Sequence, residues 1–193
     1  MAVDPIARFQ RWFAQARRTG APLPEAMALA TADRRGRPAV RFVLLKQGDR
    51  DGFVFFTNSA SRKGRELQAS PYAALAFYWD AIDKQVRIEG RIEALPEATA
   101  DAYWATRPRA SQLAGLASCQ SQPVASRSLL VARWKRLSRR YAHQQVPRPA
   151  GWLGYRLVPD TIELWTRHAD RLHHRELFVR TRRGGWKRQL LQP

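Results

Sequence analysis

Arg41 and Lys46 fall on one apolar run, Val40 to Lys46, and Arg62 and Lys63 sit at the start of a segment that Ser59 or Ser61 can cap. A helix N-terminus carries unpaired N–H groups and a partial positive charge. Two cations placed there, with two more on a nearby strand, make a phosphate cradle. Tyr103 and Arg107 are four residues apart and share a helix face. Pro108 ends that helix, and Ser111 is expected in the turn that follows. A guanidinium, a phenol and a hydroxyl converging there can hold a phosphate dianion. Trp165 and the run Arg171-Leu172-His173-His174-Arg175 form a third set. Histidine exchanges protons near neutrality, but two adjacent ones on a strand face opposite ways and do not chelate one metal. His143 and His168 stand apart from these sets. Each set taken singly also reads as a solvated basic surface, or as a core tyrosine beside an exposed arginine.

Other chemistries lack their motifs. There is no Gly-x-Gly-x-x-Gly, no P-loop and no Gly-x-Ser-x-Gly elbow. Cys119 is the single cysteine, so an intramolecular disulfide is excluded and a thiolate zinc site has no partner ligand. It is expected to be buried or half-buried. The net charge is +18, and residues 127–193 hold 16 of the 34 Lys+Arg but only 4 of the 16 Asp+Glu. Such a field attracts phosphates, acidic proteins and nucleic acid. Most of it reads as a solvated face, and no nucleic-acid recognition motif accompanies it. No apolar run reaches the ~20 residues that cross a bilayer. Met1-Ala2-Val3-Asp4-Pro5 lacks the regions of a signal peptide. No membrane association and a cytoplasmic location are expected.

The elements that must position these residues read as follows. Asp4 caps a first helix with Pro5 at its first position, and Ile6, Phe9, Phe13 and Ala16 share a face. Gly20 to Pro24 ends it. Short strands follow at Met27–Thr31, Val40–Lys46, Phe53–Thr57, Tyr72–Trp79 and around Gln85–Ile92, with turns at Arg34–Pro38 and Gly48–Gly52. A short helix covers Ser61–Leu67. Pro96 opens another that runs to about Thr106, and a longer one spans about Ser126 to His143 with Leu130, Trp134, Leu137 and Tyr141 on one face. Strands return at Trp152–Val158 and Thr161–Trp165, then a hairpin joins Leu177–Thr181 to Trp186–Leu190. Strands without regular strand–helix alternation predict an α+β chain, mainly β with flanking helices, built on an antiparallel barrel in one domain, 1–193.

Read together, the segments Arg41-Phe42-Val43-Leu44-Leu45-Lys46, Phe56-Thr57-Asn58, Ser61-Arg62-Lys63, Gln85-Val86, Arg107-Pro108-Arg109 with Ser111-Gln112, Gln120-Ser121 and Arg171-Leu172-His173 resemble the pyridoxine/pyridoxamine 5'-phosphate oxidase family. The resemblance runs from Asp4 to Pro193. It implies an FMN-binding split barrel that works as a homodimer with its two flavin sites at the interface. By that resemblance, Arg41 through Lys46, Phe56, Thr57, Arg62, Lys63 and Gln85 line the FMN site from one subunit. Gln120, Ser121, Trp165 and Arg175 complete it, some of them from the other subunit. Lys46, Tyr103, Arg107 and Ser111 hold the substrate phosphate, with Arg171, Leu172 and His173 at the pyridine ring. The implied activity oxidises pyridoxamine or pyridoxine 5'-phosphate to pyridoxal 5'-phosphate, with O2 as acceptor and H2O2 as product. The rival expectations are a related FMN oxidase acting on another aromatic substrate, such as a phenazine precursor, and a flavin or pyridoxal phosphate carrier without turnover. Three departures from the family pattern bear on substrate binding. Only three residues precede Asp4, where family members often carry a lid segment. The usually glycine-rich loop after Trp165 reads Thr166-Arg167-His168-Ala169-Asp170. Gly151-Trp152-Leu153-Gly154 replaces an aromatic-Trp-Gly-Gly stretch.

Overall fold

The structure is a computed structural model that describes residues 4–193; the three residues before Asp4, where family members often carry a lid segment, lie outside the described residues. The first helix, α1 (Pro5–Arg18), starts as the capping residues require. Asp4 Oδ1 accepts from the Ile6 N–H at 2.9 Å, and Pro5 needs no N–H partner. Ile6, Phe9 and Ala16 are buried. The Phe9 ring meets Phe53 edge-on at 4.9 Å and lies 5.2 Å from Phe77, which nails the helix to the sheet.

The strands are β1 (Ala26–Ala32), β2 (Pro38–Leu44), β3 (Gln47–Asp49), β4 (Gly52–Asn58), β5 (Tyr72–Trp79), β6 (Lys84–Ala94), β7 (Trp152–Thr166), β8 (His174–Arg180) and β9 (Trp186–Leu191). All their pairings are antiparallel, in the order β2-β1-β5-β6-β7-β4-β3. The sheet branches at β7. Its first half pairs with β4 and its second half with β8, while β6 runs along most of its length. Alternation puts Val86, Ile88, Ile162, Leu164 and Phe178 into the main core, where all are nearly inaccessible. The helices α2 (Arg62–Ala69), α3 (Glu97–Thr106), α4 (Arg109–Ala117) and α5 (Arg127–Arg140) complete the chain. A second apolar cluster of Ala100, Trp104, Leu113, Val146 and Trp152 brings α3 and α4 against the start of β7, and Trp134 and Leu137 of α5 pack on it.

The structure corrects five details of the sequence reading. The strand expected to reach Lys46 ends at Leu44, and the short strand β3 begins where only a turn was read. Residues 109–117 form α4, so Ser111 stands in the first turn of a helix and not in a turn. Pro108 both ends α3's chain path and caps α4, and the small residues of α4 dilute its apolar periodicity. The two strands read at Trp152–Val158 and Thr161–Trp165 are one, β7, with an irregularity opposite Glu89/Gly90. Pro159 has no N–H for a regular ladder, and Gly90 faces it so closely that a Cβ would stand 2.0 Å from the Val158 carbonyl oxygen. Cys119 is exposed, because the segment after α4 leaves the second core. Finally, β2 is apolar on one open face: Val40 is 69% and Phe42 76% exposed.

Phe9→Ala should remove the keystone of the main core. The expected loss is about 3–5 kcal/mol in the unfolding free energy, read from urea denaturation. A loss below about 1 kcal/mol would show that α1 docks by other contacts.

Candidate active site

The end of β4 and the start of α2 are locked together by short-range bonds. Asn58 Oδ1 accepts from the Ala60 N–H, and the Ser61 hydroxyl donates to the Asn58 carbonyl while accepting from the Gly64 N–H. Gly64 is required there: a Cβ would lie 2.3 Å from the Ser59 carbonyl oxygen. This close seating turns Lys63 inward, where it is 8% exposed. Its ammonium and the Thr57 hydroxyl both donate to Gln120 Oε1, at 3.2 and 3.1 Å. No carboxylate pairs with Lys63 among the described residues. Burial, and then the neighbouring Arg41, pull its pKa below the usual lysine value, against an opposing pull from Glu66.

Beside Lys63 opens a cavity of about 850 Å³, bounded by β2, β4, α3, α4 and α5. That size suits a cofactor with a small substrate. Lys46, Lys63, Tyr103, Arg107, Ser111 and Gln120 meet on its walls. Phe56 and Thr57 contribute from β4, and Phe42, Val43 and Leu44 from β2. The aromatic wall is ordered: Phe56 stacks on Tyr103 at 4.3 Å and on Trp152 at 5.1 Å. Lys46 Nζ lies 5.5 Å above the Tyr103 ring. The Arg107 guanidinium stands 4.9 Å from the Trp104 ring and 4.8 Å from Trp152. The two rings are inclined at 68° to each other, and the face of each attracts the guanidinium charge. Arg107 Nη1 is buried with no hydrogen-bond partner among the described residues, and burial lowers the pKa of Arg107. Gly115 makes room for this: a Cβ there would be 3.0 Å from Trp104 and 3.4 Å from Arg107 Nη1.

The remaining candidates do not line this cavity. Arg41 and Arg62 both donate to Glu66, at 3.0 and 2.8 Å, and Arg41 also bonds the Leu29 carbonyl and Thr31 hydroxyl. Leu45 is 5% exposed in the main core. Ser121, at φ +70°, turns the chain after Gln120. Gln85, Trp165 and Arg175 form one cross-strand row over β6, β7 and β8. Arg175 donates to Glu163 Oε1 at 2.8 Å and to the Gln192 carbonyl at 2.9 Å. Burial would raise the Glu163 pKa, but hydrogen bonds from Arg175 and Arg87 outweigh it and keep the group below the usual carboxylate range.

Next to this row, the loop after β7 presents Arg171, Leu172 and His173. Arg171 has φ +64°, and Leu172 is 68% exposed. His173 Nδ1 accepts from the His168 N–H at 3.2 Å, and its ring centroid is 4.7 Å from that of Trp165. A backbone N–H can only donate, so the neutral ring carries its proton on Nε2. Arg167 fastens the loop to the end of β5 and the segment after it, bonding the Tyr78 hydroxyl, Asp80 at 2.6 Å and Asp83 at 3.2 Å. Sequence reasoning passed over Trp104 and Glu66, and over Arg127, which also lines the cavity. Of these, only Glu66, four residues after Arg62, carried a readable spacing signal. No cluster of His, Cys, Asp and Glu fit for a metal occurs among the described residues. No helix among them is long and apolar enough to cross a membrane.

The chain is thus an antiparallel split sheet with a cationic, aromatic-walled cavity. Residues 13–141 match the family model described as pyridoxamine 5'-phosphate oxidase, and residues 152–193 match the pyridoxine 5'-phosphate oxidase C-terminal dimerisation region. The chain belongs to the pyridoxamine 5'-phosphate oxidase family. It is 51% identical over 190 residues to a pyridoxine/pyridoxamine 5'-phosphate oxidase of Myxococcus xanthus, covering 98% of this chain and 92% of that one. It is 50% identical over 193 residues to one of Sphingopyxis alaskensis, covering 100% and 89%. Among solved structures it superposes with TM-score 0.93 on PhzG from Burkholderia lata in complex with tetrahydrophenazine-1-carboxylic acid, at 36% identity over 98% of this chain and 93% of that one. An FMN-binding protein from Nostoc punctiforme shares the fold at TM-score 0.78 and 17% identity, with both chains fully covered.

Arg167→Ala should free the loop that carries Arg171 and His173. Amide exchange at residues 168–172 should quicken about tenfold or more, with the thermal midpoint unchanged. Unchanged exchange would mean that the loop is held by other contacts.

Proposed function

We propose that this protein oxidises pyridoxamine 5'-phosphate or pyridoxine 5'-phosphate to pyridoxal 5'-phosphate, with FMN as cofactor and O2 as electron acceptor. With the alcohol, O2 becomes H2O2. With the amine, water also enters and ammonia leaves. The observation that carries the reading is the buried, unpartnered Arg107 Nη1 beside Lys46, Tyr103 and Ser111 in one cavity. A buried donor without an acceptor costs stability, and a substrate phosphate supplies the acceptor. Lys63 makes the same case for a flavin phosphate, being a buried cation without a carboxylate. Arg41, Arg62 and Lys63 would hold that phosphate, with Thr57 and Gln120 beside it. When bound, FMN supplies the two-electron acceptor, which no side chain here can.

The other half of the machinery comes from a second copy of the chain. Trp165, Arg171, His173 and Arg175 all lie within the dimerisation region, away from their own chain's cavity. Val40 and Phe42 form an exposed apolar strip on edge strand β2, and Phe42 also lines that cavity. Edge strands of this kind are normally covered. Arg171 would steady the ring by charge. His173, with Nδ1 already engaged, would offer its Nε2–H as a donor. The aromatic wall of Phe56, Tyr103 and Trp152 would exclude water from the reacting carbon. A second reading, an oxidase of a phenazine precursor, is favoured by the superposition on PhzG with its bound ligand. The phosphate requirement separates the two.

Steady-state peroxide production should be measured with both phosphorylated substrates and with their unphosphorylated forms. Only the phosphorylated pair should react well. Arg107→Ala should mainly raise KM, with kcat/KM falling about ten- to a hundredfold, as the loss of one charge-assisted contact of roughly 1.5–3 kcal/mol requires. His173→Ala should mainly lower kcat. Equal turnover of unphosphorylated compounds would remove the phosphate site. Turnover of none of the four, with FMN bound and reducible, would favour the phenazine reading.

A further inference from the structure

Three cations of the flavin-phosphate cradle come from different elements: Arg41 from β2, Arg62 and Lys63 from α2. A phosphate is gripped well only if their N–H groups are aimed together. Glu66 lies at their centre, with its side chain 6% exposed. Its Oε2 accepts from Arg41 Nη2 at 3.0 Å and from the Thr31 hydroxyl at 2.5 Å, while its Oε1 accepts from Arg62 Nε at 2.8 Å. The Thr31 hydroxyl in turn accepts from Arg41 Nη1. One carboxylate thus ties β1, β2 and α2 together. Burial alone would raise its pKa, but the bonds from Thr31, Arg62 and Arg41 prevail and keep it ionised.

We propose that Glu66 is the positioning residue of this cradle, holding Arg41 and Arg62 in register for one phosphate dianion. The proposal rests on the reading that these arginines and Lys63 bind the FMN phosphate. Arg62 gives Glu66 only its Nε; its side chain is 59% exposed, and no other bond to its guanidinium is found among the described residues. Its two terminal nitrogens are therefore free to turn to a ligand, while the inner edge is fixed. Arg41, Arg62 and Lys63 carry three positive charges, and Glu66 removes one. The remaining two match a phosphate monoester, which carries about −1.5 to −2 near neutrality.

Two effects of removing the carboxylate oppose each other. Loss of its charge strengthens the attraction of the site for phosphate. Loss of its three hydrogen bonds lets Arg62 swing and Arg41 reorient. Geometry prevails in this proposal, because Arg62 has no second anchor. Thr31→Val separates the two effects, since it removes the hydroxyl that joins Arg41 to Glu66 and changes no charge.

The experiment is titration of the flavin-free protein with FMN and, separately, with riboflavin, read by flavin fluorescence at fixed salt. Glu66→Gln should weaken FMN binding about tenfold, or 1.4 kcal/mol, and leave riboflavin affinity unchanged. Thr31→Val should act in the same direction by a smaller factor. A purely structural defect would lower both affinities alike and overturn the proposal. So would FMN affinity that is unchanged or tighter in Glu66→Gln. Arg62→Ala tests the underlying reading. If it weakens FMN selectively while Glu66→Gln and Thr31→Val do not, the phosphate site stands and the role of Glu66 falls. If Arg62→Ala leaves FMN binding intact, both fall. Should Glu66→Gln fail to fold, Thr31→Val alone decides, by its selectivity for FMN over riboflavin.

Discussion

Lys63 is a buried cation, Arg107 is half-buried with its Nη1 withdrawn from water, and neither meets a carboxylate among the described residues. A buried ion costs several kcal/mol unless something compensates it. Here the compensation is partial: Lys63 has one amide oxygen, and Arg107 has two aromatic faces and an unpartnered Nη1. The lowered pKa of both groups has the same origin, burial ahead of any charge partner. Two such cations face one cavity of about 850 Å³, and in the proposed function each meets one phosphate, Lys63 that of the cofactor and Arg107 that of the substrate.

Much of the architecture serves to keep those two cations where they are. Gly64 lets α2 sit on the end of β4, which turns Lys63 inward. Gly115 lets α4 approach Trp104, which closes the slot around Arg107. The branch at β7 divides the labour further. Its first half carries Trp152 into the cavity wall, and its second half carries Trp165 into the row with Gln85 and Arg175. One strand therefore contributes to two regions that a single chain does not join. In the proposed function, dimerisation through the C-terminal region brings the two together from different copies of the chain.

The strand pattern and first helix were legible because the signals are local. Asp4-Pro5 states a cap and a first turn, and the alternation around Val86 and Ile88 states a half-buried strand. Helix α4 was not legible, since Arg109-Ala-Ser-Gln-Leu-Ala-Gly-Leu-Ala is rich in small residues and follows a proline that reads as an end. The β7 bulge was hidden for a similar reason: Pro159 looks like a break until Gly90 is seen opposite it. Motif order named the candidate site residues, but not which of them meet within one chain. Lys46, Tyr103, Arg107 and Ser111 do. Arg171 and His173 lie elsewhere, and only three-dimensional placement reveals that. Glu66 was missed because a glutamate four residues from an arginine usually marks an exposed helix pair. Its burial beneath β1 and β2 depends on long-range packing.

The most direct measurement is a crystal structure of the protein grown with FMN and pyridoxal 5'-phosphate. The account predicts the flavin phosphate within about 3 Å of Lys63 Nζ and the pyridoxal phosphate group within about 3 Å of the Arg107 guanidinium, the range of charge-assisted hydrogen bonds. Both ligands bound with either phosphate elsewhere, and Lys63 and Arg107 still unpaired, would contradict it.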